Sequence, residues 1–290
     1  MDLMIFCFYN LKVKLSYLLL GLGACNLYAQ PKIGIATQLN YDSTLARSGY
    51  AFIVETVGNT VSPKINDADF EERLTVLKNL KTPVYALNIF IPGELKLVGP
   101  EINETALLTH TQKVFERSKH AGIKLIVWGS GGARRVPEGY SKTKATQEFV
   151  NIARKVSEQA AQYDITLALE NLNTQETNFI NTVAEALQIV KQVNHKNFRL
   201  CADIYHMLRE NEPASVLLQT KGYLVHCDVA EKENRTPPGT AGDDFTPYLK
   251  ALKQIEYAGA IVLECRWSNL TAEADAARLS LQQQISSVWK

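Results

Sequence analysis

Residues 224–239 read LVHCDVAEKENRTPPG. A short apolar run gives way to a stretch rich in Arg, Pro and Gly, which is the pattern of a buried strand entering a surface loop. Side chains alternate along a strand, so His226 and Asp228 project to one face. Two ligand-type side chains at the end of a core strand raise the question of which one carries chemistry.

The same texture repeats outward from this stretch. Compact apolar runs at KIGIAT (32–37), YAFIVETV (50–57), PVYALNIF (83–90), IKLIVWG (123–129), ITLALEN (165–171), FRLCAD (198–203), YLVHCDV (223–229) and AIVLEC (260–265) read as buried strands. Helical periodicities lie between most of them: 67–81, 103–122, 143–164, 181–193, 212–221, 245–259, and a closing helix over 272–290. Asn103 and Thr182 sit where N-caps belong, and Gly122 and Gly259 where helices stop. Eight strands alternating with helices predict a parallel sheet, and eight units in this length predict one (β/α)8 TIM barrel over residues 31–290. The competing open doubly wound sheet lacks a Gly-rich fingerprint after its first strand. The Gly-rich GSGGARR at 129–135 follows the fourth strand and has no P-loop Lys-Ser/Thr, so it reads either as a ligand-approaching loop or as an ordinary turn.

The chain has 290 residues, 46% of them apolar, and a formal net charge of +1, so it lacks the basic footprint of a nucleic-acid binder. Its first 30 residues differ in character. Lys12 and Lys14 precede the apolar run Leu15–Ala24, which gives way to small residues and a polar exit, the layout of an export leader too short to span a bilayer. LGAC (22–25) is similar to a lipobox with Cys25 as the lipidated residue, while LYAQ offers a cleavage site after Ala29. The expected location is periplasmic, or membrane-anchored through Cys25. Cys201, Cys227 and Cys265 remain, an odd number at long spacings that reads as free thiols in strands.

A barrel of this kind places its active site at the C-terminal ends of the strands. The fifth strand ends on Glu170, the sixth on Asp203 with His206 close behind, the seventh on His226 and Asp228, and the eighth on Glu264. A lone Glu at a strand end is ordinarily solvated or paired with a nearby cation. Four carboxylates converging from consecutive strands would repel one another without a cation, which points to a divalent metal. Trp128 and Trp267 offer faces for a sugar or for core packing, and Arg266 shares a face with Glu264.

LALENLNTQETNFINT (167–182), CADIYHM (201–207), HCDVAEKENRTPPG and VLECRW (262–267) resemble the xylose-isomerase-like TIM barrels. Within that family the likeness is to sugar isomerases and epimerases such as tagatose/psicose 3-epimerase and hydroxypyruvate isomerase. The resemblance covers the mature chain. It implies a metal held by Glu170, Asp203, a seventh-strand residue and Glu264, with Glu170 and Glu264 as base and acid. It also implies substrate contacts from Glu176, His206 and Arg235. The family's seventh-strand pattern places its first His on His226 and its ligand position on Asp228, so the usual ligand is an Asp here. The two positions lie ~6.6 Å apart along a strand, so one metal does not suit both. We take Asp228 as the ligand and His226 as a deeper residue near the substrate.

A carboxylate-rich site prefers Mn2+ or Mg2+. Such an ion would polarise a ketose carbonyl, and proton removal would proceed through a cis-enediolate. The expected activity is isomerisation or epimerisation of a ketose or keto-sugar. The alternatives are β-elimination of a 3-keto-glycoside on the same scaffold and a non-catalytic sugar-binding lipoprotein. Endonucleases of this architecture need a three-zinc cluster richer in histidine than a chain with five in total. Four ionised carboxylates would leave excess negative charge, to be balanced by His206, His226, Arg235 or the Arg134–Arg135 pair. Expected partners are a small carbohydrate and further copies of the chain.

Overall fold

A computed structural model describes residues 29–290. The stretch expected to be an export leader, including Cys25, lies outside the described residues apart from Ala29 and Gln30. Eight parallel strands close into one barrel in chain order: β1 (Ile33–Ala36), β2 (Ile53–Thr56), β3 (Val84–Asn88), β4 (Leu125–Trp128), β5 (Thr166–Glu170), β6 (Phe198–Asp203), β7 (Leu224–Val229) and β8 (Ala260–Leu263), with β8 paired back to β1. Each falls within one of the apolar runs. The helices are α1 (Asp42–Ser48), α2 (Val57–Thr60), α3 (Asp67–Lys78), α4 (Glu104–His120), α5 (Gly131–Arg134), α6 (Lys142–Gln162), α7 (Val183–Val193), α8 (Ile204–Arg209), α9 (Thr246–Gln254) and α10 (Leu270–Val288). No described helix is long and apolar enough to cross a membrane.

Alternation along each strand builds two cores. Outward residues such as Ile35, Ile126, Leu167, Leu200 and Ile261 pack under the helices, while Val54, Ala86, Val127, Ala168, Cys201 and Val262 fill the barrel interior. The inward set carries several small residues, and on β5 to β8 it ends in polar side chains. That switch from apolar to polar at the strand ends positions the site.

Local signals hold where the chemistry is strong. The Asn103 side chain accepts from the Ala106 amide, and Thr182 and Glu185 form a reciprocal capping box. Gly122 takes φ +73° just beyond α4. Gly259 does not stop its helix: α9 ends at Gln254, and Glu256 adopts the left-handed conformation with φ +62°. The helix expected over 212–221 is a 3-10 helix, Ala214–Thr220, begun by Pro213. GSGGARR contains the single-turn helix α5, which aims Arg134 inward.

Candidate active site

The ladder register brings the strand-end acids together. Asp203 on β6 pairs directly with Asp228 on β7, and Asp228 pairs with Val262, two residues before Glu264. One ligand-capable oxygen each from Glu170, Asp228 and Glu264 lies within 4.8 Å of the others, and Glu170, Asp203 and His206 form a second such group.

Glu170 is buried, and its place depends on a neighbour without a side chain. A Cβ on Gly129, at the end of β4, would stand 2.2 Å from Glu170 Oε2. Fully buried Arg134 donates to the carbonyls of Glu170 (2.8 Å) and Ile180 (3.2 Å), so it braces backbone and does not neutralise the carboxylates directly. Arg135 is exposed and donates to the Glu176 carbonyl. Asn171 ties β5 to β6, accepting from the Asp203 amide and donating to its carbonyl.

Asp203 caps α8 by accepting from the amides of Tyr205 (2.8 Å) and His206 (3.4 Å) through Oδ1, which leaves Oδ2 for the site. His206 Nδ1 accepts from the Asn173 amide at 3.2 Å, so the ring proton belongs on Nε2. That nitrogen is 3.2 Å from Asp203 Oδ2, 3.9 Å from Glu170 and 4.0 Å from Glu176, yet it makes no hydrogen bond among the described residues. Burial and then the nearby Arg235 push the His206 pKa down to about 3, which keeps the ring neutral.

His226 lies one rung below Asp228. Its Nε2 is 3.0 Å from Asp228 Oδ1, and the Cys201 thiol donates to Oδ2 at 3.2 Å. Burial opposes charge on His226, but the Asp228 carboxylate outweighs it and raises the ring's pKa. Glu264 accepts from the Asn88 amide at 3.0 Å. Arg235 carries the one guanidinium that enters the acidic cluster. It donates to Asp203 (3.0 Å), to Glu264 Oε2 and to the Glu264 carbonyl (2.8 Å), approaches Glu176 (3.5 Å), and stacks over Tyr205.

Burial, with mutual repulsion, raises these acids. Glu170 moves well above the ordinary carboxylate range, first through burial and then through Glu264, Asp203 and Asp228. Asp203 and Glu264 each rise to about 7, again led by burial, with Arg235 opposing. The donor set is therefore oxygen-rich, converging and short of positive charge, and it fits a hard divalent cation. Glu170, Asp203, Asp228 and Glu264 could hold it.

The sequence-predicted residues thus converge, with His226 as a support behind Asp228. Trp128 is fully buried against Phe90, Phe149 and Phe198 and belongs to the outer core, so it offers no face to a sugar. Arg266 is exposed, and Glu264 pairs with Arg235 instead. Trp267 lines a cleft of about 600 Å3 beside Glu264, together with Gln38, Glu55, Asn59 and Asn88. Glu55, Asn88 and Ile89 were not singled out from sequence. Glu55 is a buried strand-end carboxylate, and Ile89 is a β-branched residue at φ +49° and 63% exposed at this rim. A larger cavity of about 850 Å3 opens at the opposite end of the barrel, and among the described residues no carboxylate lines it.

Comparison with known proteins gives this geometry a family. Over 259 residues the chain is 26% identical to the D-psicose 3-epimerase of Agrobacterium fabrum, covering 82% of this chain and 87% of that protein. It is 29% identical over 245 residues to the 3-dehydro-D-guloside 4-epimerase of Escherichia coli, covering 81% and 92%. The L-ribulose 3-epimerase of Methylomonas is 33% identical over 138 residues, a match spanning 42% of this chain and 48% of that protein. A crystal structure of D-psicose 3-epimerase in the presence of D-fructose superposes with TM-score 0.76 at 20% identity, covering 89% of this chain and all of that one. The profile described as xylose isomerase-like TIM barrel matches residues 43–284, and the chain belongs to that family.

Proposed function

We propose that the protein is a divalent-metal-dependent epimerase or isomerase of a ketose or keto-sugar. The observation that carries this reading is the convergence of Glu170, Asp228 and Glu264 within 4.8 Å, beside Asp203, at the C-terminal mouth of the barrel. A bound Mn2+ or Mg2+ would supply Lewis-acid polarisation of the substrate carbonyl.

The remaining work falls to the chain. Glu170 and Glu264 act as the proton-transfer pair: one removes the proton next to the carbonyl, and the other, protonated, returns one. The Glu264 pKa of about 7 suits a group that exchanges a proton near neutral pH, and burial raises Glu170 in the same direction. Return to the opposite face inverts the centre, while return to the neighbouring carbon interconverts ketose and aldose. The neutral His206 donates through its free Nε2–H to a substrate oxygen. Arg235, with Glu176 beside it, holds the oxygens on which charge develops. Asp228 serves as the seventh-strand ligand, its carboxylate oriented from below by His226 and Cys201.

The cleft of about 600 Å3 favours a second reading, in which the substrate is a keto-glycoside. The cleft runs from Glu264 away from Glu170, Asp203 and Asp228, which do not line it, and so offers room for a second group beyond the reacting sugar. An export leader would agree with a non-phosphorylated substrate, and we place the protein outside the cytoplasm. Metal-reconstituted protein incubated with a panel of ketoses and keto-glycosides in deuterated solvent tests the reading. Deuterium entering at the carbon next to the carbonyl is expected, and the absence of exchange in every substrate would overturn it. Release of free aglycone would instead identify a lyase.

A further inference from the structure

The loop after β7 delivers Arg235 into the acidic cluster, yet between Glu231 and Gly242 it contains no helix or strand. Ordering such a loop costs roughly 1–2 kcal/mol per residue in backbone entropy. Two consecutive residues, Asn234 (φ +53°) and Arg235 (φ +58°), are left-handed without being glycine. Conformations of that kind persist only where the surroundings over-determine them.

One fully buried side chain accounts for the order. Glu231 accepts from the Gly239 amide at 2.8 Å and the Gly242 amide at 3.0 Å through Oε1, and from the Thr236 hydroxyl at 2.9 Å and the Ala241 amide through Oε2. Among the described residues no Lys, Arg or His forms an ion pair with it. A buried carboxylate without a counter-ion is costly unless its lone pairs are filled, and here the loop's own N–H and O–H groups fill them. Pro237 and Pro238 have no N–H; of the turn's later amides, those of Gly239, Ala241 and Gly242 donate to this one acceptor, while the Thr240 amide donates to the Pro237 carbonyl. The Glu231 amide also donates to the Thr236 carbonyl at 2.9 Å, closing the loop on both sides of Arg235. From the other direction, the Arg266 amide donates to the Arg235 carbonyl at 2.8 Å and pins the loop to the end of β8.

We propose that Glu231 is a positioning residue: by knotting residues 236–242 around its carboxylate, it fixes the backbone from which Arg235 reaches Asp203, Glu264 and the substrate. Glu231 touches no reacting group and acts only through Arg235. The inference rests on the reading of Arg235 as a substrate-holding residue.

Two measurements test it on the full chain. The first needs no substrate: phenylglyoxal labelling of Arg235, followed by peptide mass spectrometry, in the wild type, Glu231→Gln and Thr236→Val. Glu231→Gln keeps the shape but turns one acceptor into a donor facing backbone N–H groups. It is expected to label several-fold faster at Arg235, with faster amide exchange at Gly239, Ala241 and Gly242. Thr236→Val, which removes one of the four donors, should show a smaller change of the same kind and covers the case in which Glu231→Gln fails to fold.

The second measurement is a double-mutant cycle on kcat/KM with Arg235→Ala. Glu231→Gln should lower kcat/KM by up to about 100-fold, the scale of a misplaced positioning group, and should add nothing further in the Arg235→Ala background. Unchanged Arg235 labelling in both variants, or the same loss in the wild-type and Arg235→Ala backgrounds, would overturn the proposal. A wild type that turns over no keto-sugar would refute the functional reading, and the labelling result would still decide the role of Glu231.

Discussion

Removing divalent ions and raising the pH should destabilise this protein, because burial raises the pKa of Glu170, Asp203 and Glu264 and so opposes their ionisation in the folded chain. In the folded chain the Asp203 pKa rises from 3.8 to about 7 and that of Glu264 from 4.5 to about 7, chiefly through burial. A group whose folded pKa is raised contributes stability that is fully present below its unfolded pKa and is lost as pH climbs through the folded one. The window therefore runs from about pH 4 to just above pH 7. At ~1.4 kcal/mol per pKa unit, Asp203 alone is worth roughly 4 kcal/mol and Glu264 roughly 3 kcal/mol. The two share Arg235 and repel each other, so they do not add, and ~4 kcal/mol is the scale to expect. For a chain of this length each kcal/mol moves Tm by about 2–4 °C, giving a fall of about 10 °C. Thermal melts of chelator-treated protein across this range would measure it. Repeating them with Mn2+ at about 100 times Kd should restore roughly 2.7 kcal/mol at the alkaline end. The gain should be smaller at acid pH, because the ligands must first lose their protons. A metal-free Tm that stays flat or rises between pH 5 and pH 8 would refute the argument.

Four further outcomes follow from the geometry. Asp228→Ala should weaken Mn2+ binding severely, and His226→Ala by about 10–100-fold as a supporting residue; calorimetric titration showing unchanged binding in both would remove β7 from the metal site. Trp128→Ala should cost about 3–5 kcal/mol in denaturant unfolding while leaving KM unchanged, since the ring packs in the outer core. Arg117 is buried, donates to the Ile65 carbonyl, the Ser62 carbonyl and Asp67, and lies 4.7 Å over the Phe70 ring; Arg117→Ala leaves those carbonyls without their donor and should cost about 1–3 kcal/mol by the same measurement. Thr182→Ala, which breaks the α7 capping box, should cost ~1 kcal/mol.

The barrel was legible because its signals are local and repeated. Each β-strand is an apolar run, and the order of strands and long helices already dictates a parallel closed sheet. The strand-end acids were legible for a related reason: a carboxylate such as Glu170, directly after Leu167, Ala168 and Leu169, stands out against its neighbours. What stayed hidden depends on contacts distant in sequence. Asn88 meets Glu264 across 176 positions, and Asn173 fixes the His206 tautomer across 33. In the sequence Asn88 is one polar residue inside an apolar strand run and Asn173 one of several loop asparagines, and neither shows its partner. Trp128 was ambiguous because periodicity shows that it alternates with Val127, but only the closed barrel shows which of them faces inward. Glu231 resembles a solvated loop acid until its four donors are seen.

The void at Gly129 changes what a map of damaging substitutions would mean. Position 129 carries no functional group, yet any side chain there displaces the Glu170 carboxylate that stands 2.2 Å from where its first carbon would be. Even alanine would push that carboxylate aside and lower turnover while leaving every acid, histidine and arginine in the chain intact. In a saturation screen read by turnover, Gly129 would rank with the proton-transfer residues although it transfers nothing. Gly58, whose backbone is not left-handed and where an added Cβ meets nothing closer than 3.8 Å, would show no penalty of that kind. Sensitivity at position 129 would thus mark space reserved for a neighbour's chemistry.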